Sequence, residues 1–241
     1  MECWSVVPNP QHSHLPSFHS SISPPLQSSP PSMELNPNQV RLMMLQVADA
    51  IIAAEPMLSQ ADRDLGDGDH GLGMKRGMEA VKAQLEKLDP ASVEQVFVTT
   101  GTAMMTSMGG ASGAIFGTVY RAGGKALAGR PAFDPEGLAL LLEAALEGVM
   151  KRGGAKPGDK TMIDAVAPAA TKARESLALP LNEAIQAVAA AAEAGKEASK
   201  DMIAQFGRAK TLGEACLGFP DAGACSVVIM LNTMRDYVTQ S

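Results

Sequence analysis

The residues best able to do chemistry in this chain are four aspartates that share ten positions with three glycines: Asp62, Asp64, Asp67, Asp69, Gly66, Gly68 and Gly71. Ionised carboxylates are hard oxygen ligands for Mg²⁺ or Ca²⁺, and glycines let the backbone turn tightly enough to aim several at one point. Carboxylates this close repel one another unless a cation lies among them. The segment therefore predicts a metal loop with Asp62, Asp67 and Asp69 as ligands; a solvated acidic turn is the alternative.

The calcium-binding EF-hand is the first specific metal loop to consider. Its pattern requires a Glu at position twelve, and position twelve counted from Asp62 is Gly73. The EF-hand is therefore excluded.

A second glycine-rich segment, residues 108–114 with the sequence Met-Gly-Gly-Ala-Ser-Gly-Ala, leads into apolar residues as a turn before a helix would. Backbone N–H groups in such a turn can approach phosphate, and a helix N-terminus favours anions. The patterns of a P-loop and of a Rossmann turn are both missing from the sequence. Close helix packing remains the alternative for the small residues. Two further glycine-rich segments, 153–162 and 218–224, carry polar residues, so four loops between helices suggest one composite site.

Four segments together resemble the L subunit of dihydroxyacetone kinase in order and approximate spacing: 66–71, 109–113, 158–164 and 221–224. The resemblance covers about residues 35–241 and implies an all-α fold, a barrel of eight amphipathic antiparallel helices with nucleotide-binding loops at one end. It also implies two Mg²⁺ and a bound nucleotide, which is either ADP recharged by a phosphohistidine donor protein or exchangeable ATP. The implied partner is a K-type subunit that binds dihydroxyacetone covalently.

The resemblance assigns site residues position by position. Asp62, Asp67 and Asp69 are expected to be the catalytic metal ligands. Asp64 matches no family position and is expected to be a solvated carboxylate at a helix end. The expected nucleotide contacts are His70, Gly71, Leu72, Gly73, Ala111, Ser112, Gly153, Met162, Arg208, Asp221, Ala222 and Gly223. Met162 could instead be a core residue, and the 221–223 turn reads Asp-Ala-Gly where relatives often have Asp-Pro-Gly.

His70 is the only histidine after residue 32. It could itself carry a phosphoryl group, but beside a metal loop an imidazole that forms hydrogen bonds or faces phosphate is favoured. With one histidine, no Ser-His-Asp or Cys-His set can be assembled. Activation of the sugar is therefore expected to lie on the partner subunit.

Helical periodicity must supply the elements that position these residues. It predicts helices over 40–54, 72–88, from 91 onward, from 111 onward, over 135–151, 161–177, 181–203 and 222–237. Asp89-Pro90 and Asp134-Pro135 are expected to begin two of them, because Asp can cap a helix and Pro fits its first turn. Residues 96–100 have strand propensity but no alternating partner strands, and 206–220 appears irregular.

Composition bounds the class of protein. The chain is 46% hydrophobic with a net charge of −6, which argues for one sizeable core and against a nucleic-acid surface. No apolar run reaches the roughly 18 residues of a membrane span. Three cysteines without a CxxC pattern suggest neither a zinc knuckle nor a disulfide framework. A cytoplasmic protein is expected; a homodimer is one option for its oligomeric state.

The first 32 residues differ from the rest, with seven prolines, nine serines and one charged residue, Glu2. They lack the basic residues of a signal or transit peptide. We expect residues 1–33 to be a disordered tail, either a tag or a mis-start, and residues 34–241 to form the nucleotide- and magnesium-binding domain.

Two other kinds of kinase and one non-catalytic function stay open. An ATP-dependent tetrulose kinase subunit would use the same site on a different sugar. A fatty-acid-kinase-like nucleotide domain shares the Gly-Asp-Gly-Asp loop, although its loop usually continues with Thr where this chain has His70. A non-catalytic regulator is disfavoured, because it would not need three metal ligands.

Overall fold

The computed structural model describes residues 1–4 and 34–240, and the second range contains nine α-helices. The all-α prediction is confirmed, and the segment 96–100 with strand propensity is helical. The helices are α1 (Pro37–Ala53), α2 (Glu55–Arg63), α3 (His70–Leu85), α4 (Val93–Ser107), α5 (Gly110–Lys125), α6 (Pro135–Gly153), α7 (Ile163–Glu175), α8 (Leu181–Ala198) and α9 (Ala222–Gln240). Within residues 34–240 the only β-type pairing is an isolated bridge between Leu35 and Phe133.

Side-chain caps explain where several helices begin. Asn36 and Gln39 form a reciprocal capping box at α1, and Asp134 accepts a hydrogen bond from the Gly137 N–H at α6, as expected from the sequence. For α4, the predicted capping residue was wrong. Ser92, not Asp89, accepts the hydrogen bond from the N–H three residues ahead, so α4 begins at Val93.

Helix α2 is one helix more than the eight that the sequence predicted. It begins directly after α1, with Ala54 as the junction and Pro56 in its first turn, where a missing N–H costs nothing. Helix α8 also ends earlier than predicted, at Ala198 instead of residue 203. The irregular stretch expected over 206–220 contains 3₁₀ turns at Arg208–Cys216, interrupted at Gly213.

The helices pack in an order that closes on itself. Each helix from α3 to α8 packs against the next, while α1 packs against both α3 and α9. Helix α2 lies against α3 and α9. This pairing does not conflict with the expected barrel of eight helices, and α2 is an additional helix at one end of α3.

One large apolar cluster fills the interior and draws residues from α1 through α9. Phe97, Phe133 and Tyr120 are buried there, with Phe97 and Tyr120 stacked at 6.4 Å between ring centroids. Helix α8 packs closely on α7 at a glycine: a Cβ placed on Gly195 would lie 2.0 Å from the Asp164 carbonyl oxygen. The helices can therefore approach each other at small residues.

The antiparallel order of the helices determines at which end each connecting loop lies. Consecutive helices that pack together through short connections run antiparallel, so every second connection emerges at the same end. From α2 onward these are the loop before α3, the turn before α5, the segment before α7 and the segment before α9. The four glycine-rich segments of the sequence are these four connections.

Two expectations concern the remainder of the chain. Among the described residues no single helix is long and apolar enough to span a membrane; α1 and α2 pass that test only when joined across a 54° bend. The prediction of a disordered tail falls mainly on residues 5–33, which lie outside the described residues, and it stays a prediction.

Candidate functional site

A cleft of about 790 Å³ lies where the four connections meet. Its wall contains side chains from the loop before α3, the turn before α5, the start of α7 and the segment between α8 and α9. Ligand sites in proteins commonly measure about 300–1,000 Å³. The composite site expected from the sequence is therefore a single space large enough for a nucleotide.

Three carboxylates converge at one end of this cleft. Each of Asp62, Asp67 and Asp69 offers an oxygen, and these oxygens lie within 4.8 Å of one another. Asp62 comes from the last turn of α2, whereas Asp67 and Asp69 come from the loop that follows it. The backbone N–H of His70 donates to Asp62 at 3.1 Å, which fixes α2 against the start of α3. Three hard oxygen ligands at this spacing fit a divalent cation such as Mg²⁺.

The fourth aspartate is separated from this group. Asp64 is exposed at the end of α2 and accepts a hydrogen bond from the Gln60 side chain at 2.9 Å. Arg208, from the segment between α8 and α9, forms an ion pair with Asp67 at 2.7 Å, although its own side chain is 68% exposed. An ion pair so open to solvent contributes little stability. The ion pair instead holds the segment between α8 and α9 close to the three carboxylates.

His70 is buried at the start of α3, with 8% of its surface exposed. Its Nε2 lies 2.8 Å from the Ser226 hydroxyl, and its ring lies 5.8 Å from that of Phe116. Burial lowers the pKa of His70, while the charges of Asp62 and Asp69 oppose that change. The imidazole connects the carboxylate loop to α9, and the Ser226 hydroxyl occupies its Nε2.

The turn between α4 and α5 has the backbone shape of an anion cradle. Gly109 and Gly110 have φ values of +73° and +61°, which side chains rarely adopt, and no atom would contact a Cβ placed on either. Helix α5 begins at Gly110, so the N–H groups of its first turn lack partners within the helix. Ala111 and Ser112 belong to that turn and line the cleft. Open space beside free N–H groups suits phosphate oxygens.

A buried lysine holds two other segments of the cleft together. Lys160 is 2% exposed, and its Nζ donates to the carbonyl oxygens of Ser199 at 2.6 Å and Phe219 at 2.7 Å. Burial lowers its pKa, although nearby carboxylates such as Asp221 oppose this. The lysine therefore fixes the ends of the segment that connects α8 to α9.

Asp221 begins the turn that leads into α9. Burial raises the pKa of Asp221 to about 7, and the charge of Asp164 adds to this effect, while the N–H of Ala224 opposes it with a hydrogen bond of 2.8 Å. Asp164 itself accepts hydrogen bonds from the N–H groups of Gly158 and Thr161. The carboxyl group of Asp221 therefore binds a proton more readily than that of a solvent-exposed aspartate.

The residues predicted from the sequence line this cleft, except Gly71 and Gly153. A Cβ on Gly71 would lie 2.4 Å from the Glu55 carbonyl oxygen, so this glycine allows α2 and α3 to approach closely. Gly153 is exposed at the end of α6 beside Ile115. Met162 lines the cleft and is also part of the apolar core, so its contact with a nucleotide stays a prediction.

The cleft also contains residues to which the sequence analysis assigned no individual contact. Lys160 and Thr161 lay inside a recognised motif without an assigned role, and Phe206 and Gly207 precede Arg208 in the stretch that appeared irregular. Arg76 belongs to no motif. Only its position three residues after Gly73, on the same face of a helix, could have predicted that it lines the cleft. The additional residues are Leu65, Arg76, Met108, Gly109, Gly110, Ile115, Phe116, Lys160, Thr161, Phe206, Gly207 and Ala209.

Comparison with known proteins gives a consistent result. The family model described as the DAK2 domain matches residues 64–236. Over 206 residues the chain is 34% identical to the ADP-binding subunit of the PEP-dependent dihydroxyacetone kinase of Escherichia coli K12, covering 84% of this chain and 97% of that one. It is 38% identical over 178 residues to the corresponding subunit of dihydroxyacetone kinase 1 of Listeria innocua, covering 74% and 85% respectively.

Larger kinases are also similar over part of their length. The L-erythrulose 1-kinase of Mycolicibacterium smegmatis is 34% identical over 191 residues, which cover 77% of this chain and 33% of that kinase. The crystal structure of the C. freundii dihydroxyacetone kinase in complex with AMP-PNP and Mg²⁺ superposes with a TM-score of 0.63 at 26% identity. That superposition covers 95% of this chain and 38% of the other.

Proposed function

Since this chain belongs to the DAK2 domain family, we propose that it is the nucleotide-binding phosphotransfer subunit of a dihydroxyacetone kinase. In this proposal it holds Mg-bound ADP or ATP in the cleft and passes a phosphoryl group to a short ketose on a K-type partner subunit. The setting we propose is the cytoplasm.

One observation carries the proposal. The three carboxylates within 4.8 Å of one another and the glycine turn at the start of α5 line the same cleft. Phosphoryl transfer depends chiefly on positioning and on neutralising the negative charge of the phosphates. A cation held by the three carboxylates, beside the free N–H donors of the turn, would meet both needs.

Each part of the cleft then has a role. Asp62, Asp67 and Asp69 would hold two Mg²⁺, which supply charge neutralisation to the phosphates when bound. The N–H groups of Ala111 and Ser112 would orient the phosphate oxygens. Met162 and the 221–223 turn would hold the nucleoside, with Met162 as a soft apolar surface. Arg208 would contact phosphate in addition to Asp67.

Activation of the sugar belongs to the partner in this proposal. His70 is buried against Ser226, and Lys160 donates to two backbone carbonyls, so both are already engaged in structural hydrogen bonds. This supports a division of labour in which the K-type subunit binds and activates the ketose. A phosphohistidine protein remains the proposed donor if the nucleotide is a captive ADP.

The ketose is either dihydroxyacetone or a tetrulose. Similarity to an L-erythrulose 1-kinase favours including the four-carbon sugar as the second candidate. The cleft of this chain would serve either substrate equally, because the sugar-binding residues would lie on the partner.

The first experiment is to denature freshly purified protein and identify the released small molecules by ion-pair chromatography. We expect about one ADP per chain if the nucleotide is captive, or an empty site that binds ATP only with Mg²⁺ if it exchanges. Failure to bind either nucleotide in the presence of Mg²⁺ would overturn the proposed function.

The second step is reconstitution with the K-type subunit of a PEP-dependent dihydroxyacetone kinase. Dihydroxyacetone and erythrulose would be supplied in parallel, with ATP or a phosphohistidine protein as donor. If a sugar phosphate forms with only one of the two donors, that donor is the physiological type. Binding of nucleotide without any transfer would contradict the kinase proposal and favour a regulator.

A further inference from the structure

Met108 is the point at which α4 ends and the turn toward α5 begins. Its side chain is buried, at 3% exposure, between α3 and α5. A Cβ placed on Gly77 of α3 would lie 2.4 Å from its Cγ, and one placed on Gly113 of α5 would lie 3.0 Å from its Cβ. A side chain at position 77 would therefore displace Met108, and one at position 113 would crowd it.

The backbone of the same residue is held from α3. The guanidinium of Arg76 donates from Nη2 to the Met108 carbonyl oxygen at 2.7 Å. Met108 caps the C-terminus of α4, where carbonyl groups lack helical partners and where positive charge is favourable. One side chain of α3 thereby fixes the residue that immediately precedes Gly109 and Gly110.

Arg76 also lines the cleft itself. Two further cations of the cleft wall, Lys160 and Arg208, have backbone carbonyl and carboxylate partners that come from outside the turn. Arg76 differs from these two because its described hydrogen bond is directed to the turn before α5. Guanidinium groups have several donors in a rigid plane, which suits the fixing of a backbone position.

We propose that Arg76 is a positioning residue for the phosphate end of the cleft. Through the Met108 carbonyl it fixes the Gly109-Gly110 turn, so that the first N–H groups of α5 stay aimed at the phosphates. The inference rests on the proposed function, because the turn matters to catalysis only if a nucleotide binds there. It adds a residue from the second turn of α3 to a site formed mainly by loops and by the ends of helices.

Loss of the Arg76 hydrogen bond should weaken binding of the phosphates and leave binding of the nucleoside unchanged. Two glycines with positive φ leave the turn few contacts of its own, so losing the Arg76 hydrogen bond should let it move. Binding of adenosine, which has no phosphate, should not depend on the turn. Binding of Mg·ADP should depend on it strongly.

The test uses Arg76→Met, which keeps the length of the side chain without its donors, and Arg76→Lys, which keeps the charge and one donor group. Lys82→Met is the matched control, because it removes the same charge from α3 at a site where Lys82 pairs with Asp49 on α1. Calorimetry would give the affinities for Mg·ADP and for adenosine. Hydrogen exchange of residues 108–116 would be measured in nucleotide-free protein.

For Arg76→Met we expect about a tenfold loss of Mg·ADP affinity, equivalent to about 1.4 kcal/mol, with adenosine affinity unchanged and faster exchange over 108–116. Arg76→Lys should recover part of the loss, and Lys82→Met should match the wild type.

Three results for Arg76→Met would each overturn the inference: equal losses of affinity for ADP and adenosine, an unchanged ADP affinity, or a selective loss without faster hydrogen exchange. If the wild type binds no ADP, the proposed function fails, whereas exchange still decides whether Arg76 fixes the turn.

Discussion

At the scale of single residues, four aspartates that look alike in the sequence have different environments. Asp62, Asp67 and Asp69 meet within 4.8 Å, whereas Asp64 hydrogen-bonds to Gln60 on the exposed end of α2. The sequence could predict this division, because the glycines on either side of Asp67 mark where the backbone turns. It could not predict Arg76, since one arginine on a helix gives no sign of the carbonyl that it contacts.

Asp67→Asn should reduce phosphotransfer by about 100-fold or more, equivalent to about 2.7 kcal/mol of activation free energy. The substitution replaces a charged metal ligand by a neutral one. In metal-free protein it should not lower Tm, because it removes repulsion among three neighbouring carboxylates. Steady-state kinetics with saturating Mg²⁺ and thermal unfolding with EDTA would measure the two effects.

Asp64→Asn is the control for the loss of charge. It lies in the same stretch, and its side chain is exposed, so activity and Mg²⁺ affinity should remain close to those of the wild type. If both variants lose activity equally, the general acidity of the loop matters and not a set of three ligands.

At the scale of secondary structure, α2 is the element that the sequence did not predict. It has nine residues, includes Pro56, and buries Leu58 as its only large apolar side chain. A pattern so short gives almost no periodicity, because the signal needs several turns to accumulate. The longer helices were predicted, and the largest error in their boundaries is at the end of α8. Side-chain caps explain where α1 and α4 begin.

The close contact between α2 and α3 makes Gly71 an element-scale test. In Gly71→Ala the new Cβ would lie 2.4 Å from the Glu55 carbonyl oxygen and 2.5 Å from the Ser59 nitrogen, both of which are backbone atoms. Helix α2 must therefore shift and carry Asp62 with it. We expect a loss of about 1–3 kcal/mol in the free energy of unfolding and weaker Mg²⁺ binding, measured by denaturant titration and calorimetry.

Gly73→Ala gives the comparison on the same helix. No atom lies within 4 Å of a Cβ placed there, so the alanine should fit and should raise stability by up to about 1 kcal/mol. Equal destabilisation by both substitutions would indicate that helix propensity, and not the α2–α3 contact, determines the result.

At the scale of the whole molecule, the site is distributed over connections that are distant in sequence. Residues from 62 to 223 line one cleft because every second connection emerges at the same end. The motifs predicted which loops meet, whereas the ring-like packing that brings them together depends on helix contacts that no single segment encodes. Lys160 illustrates this, because its partners Ser199 and Phe219 are far along the chain.

Ligand binding should therefore stabilise the entire domain. At 100 times its Kd, Mg·ADP should add about 2.7 kcal/mol to the free energy of unfolding, or a Tm increase of about 5–10 °C for a domain of this size. The increase should disappear when EDTA removes Mg²⁺. Differential scanning calorimetry would measure it, and a Tm increase with ADP that persists in EDTA would contradict a metal-dependent site.

The closure of α9 onto α1 and α8 also sets the order of events during synthesis. A chain still on the ribosome can expose the aspartate loop and the turn before α5 long before residues 221–223 have been made. Ser226, which contacts His70, also arrives only with α9. The nascent chain thus has the acidic half of its site without the half that closes it, and we expect capture of a nucleotide to wait until α9 has been made and has folded.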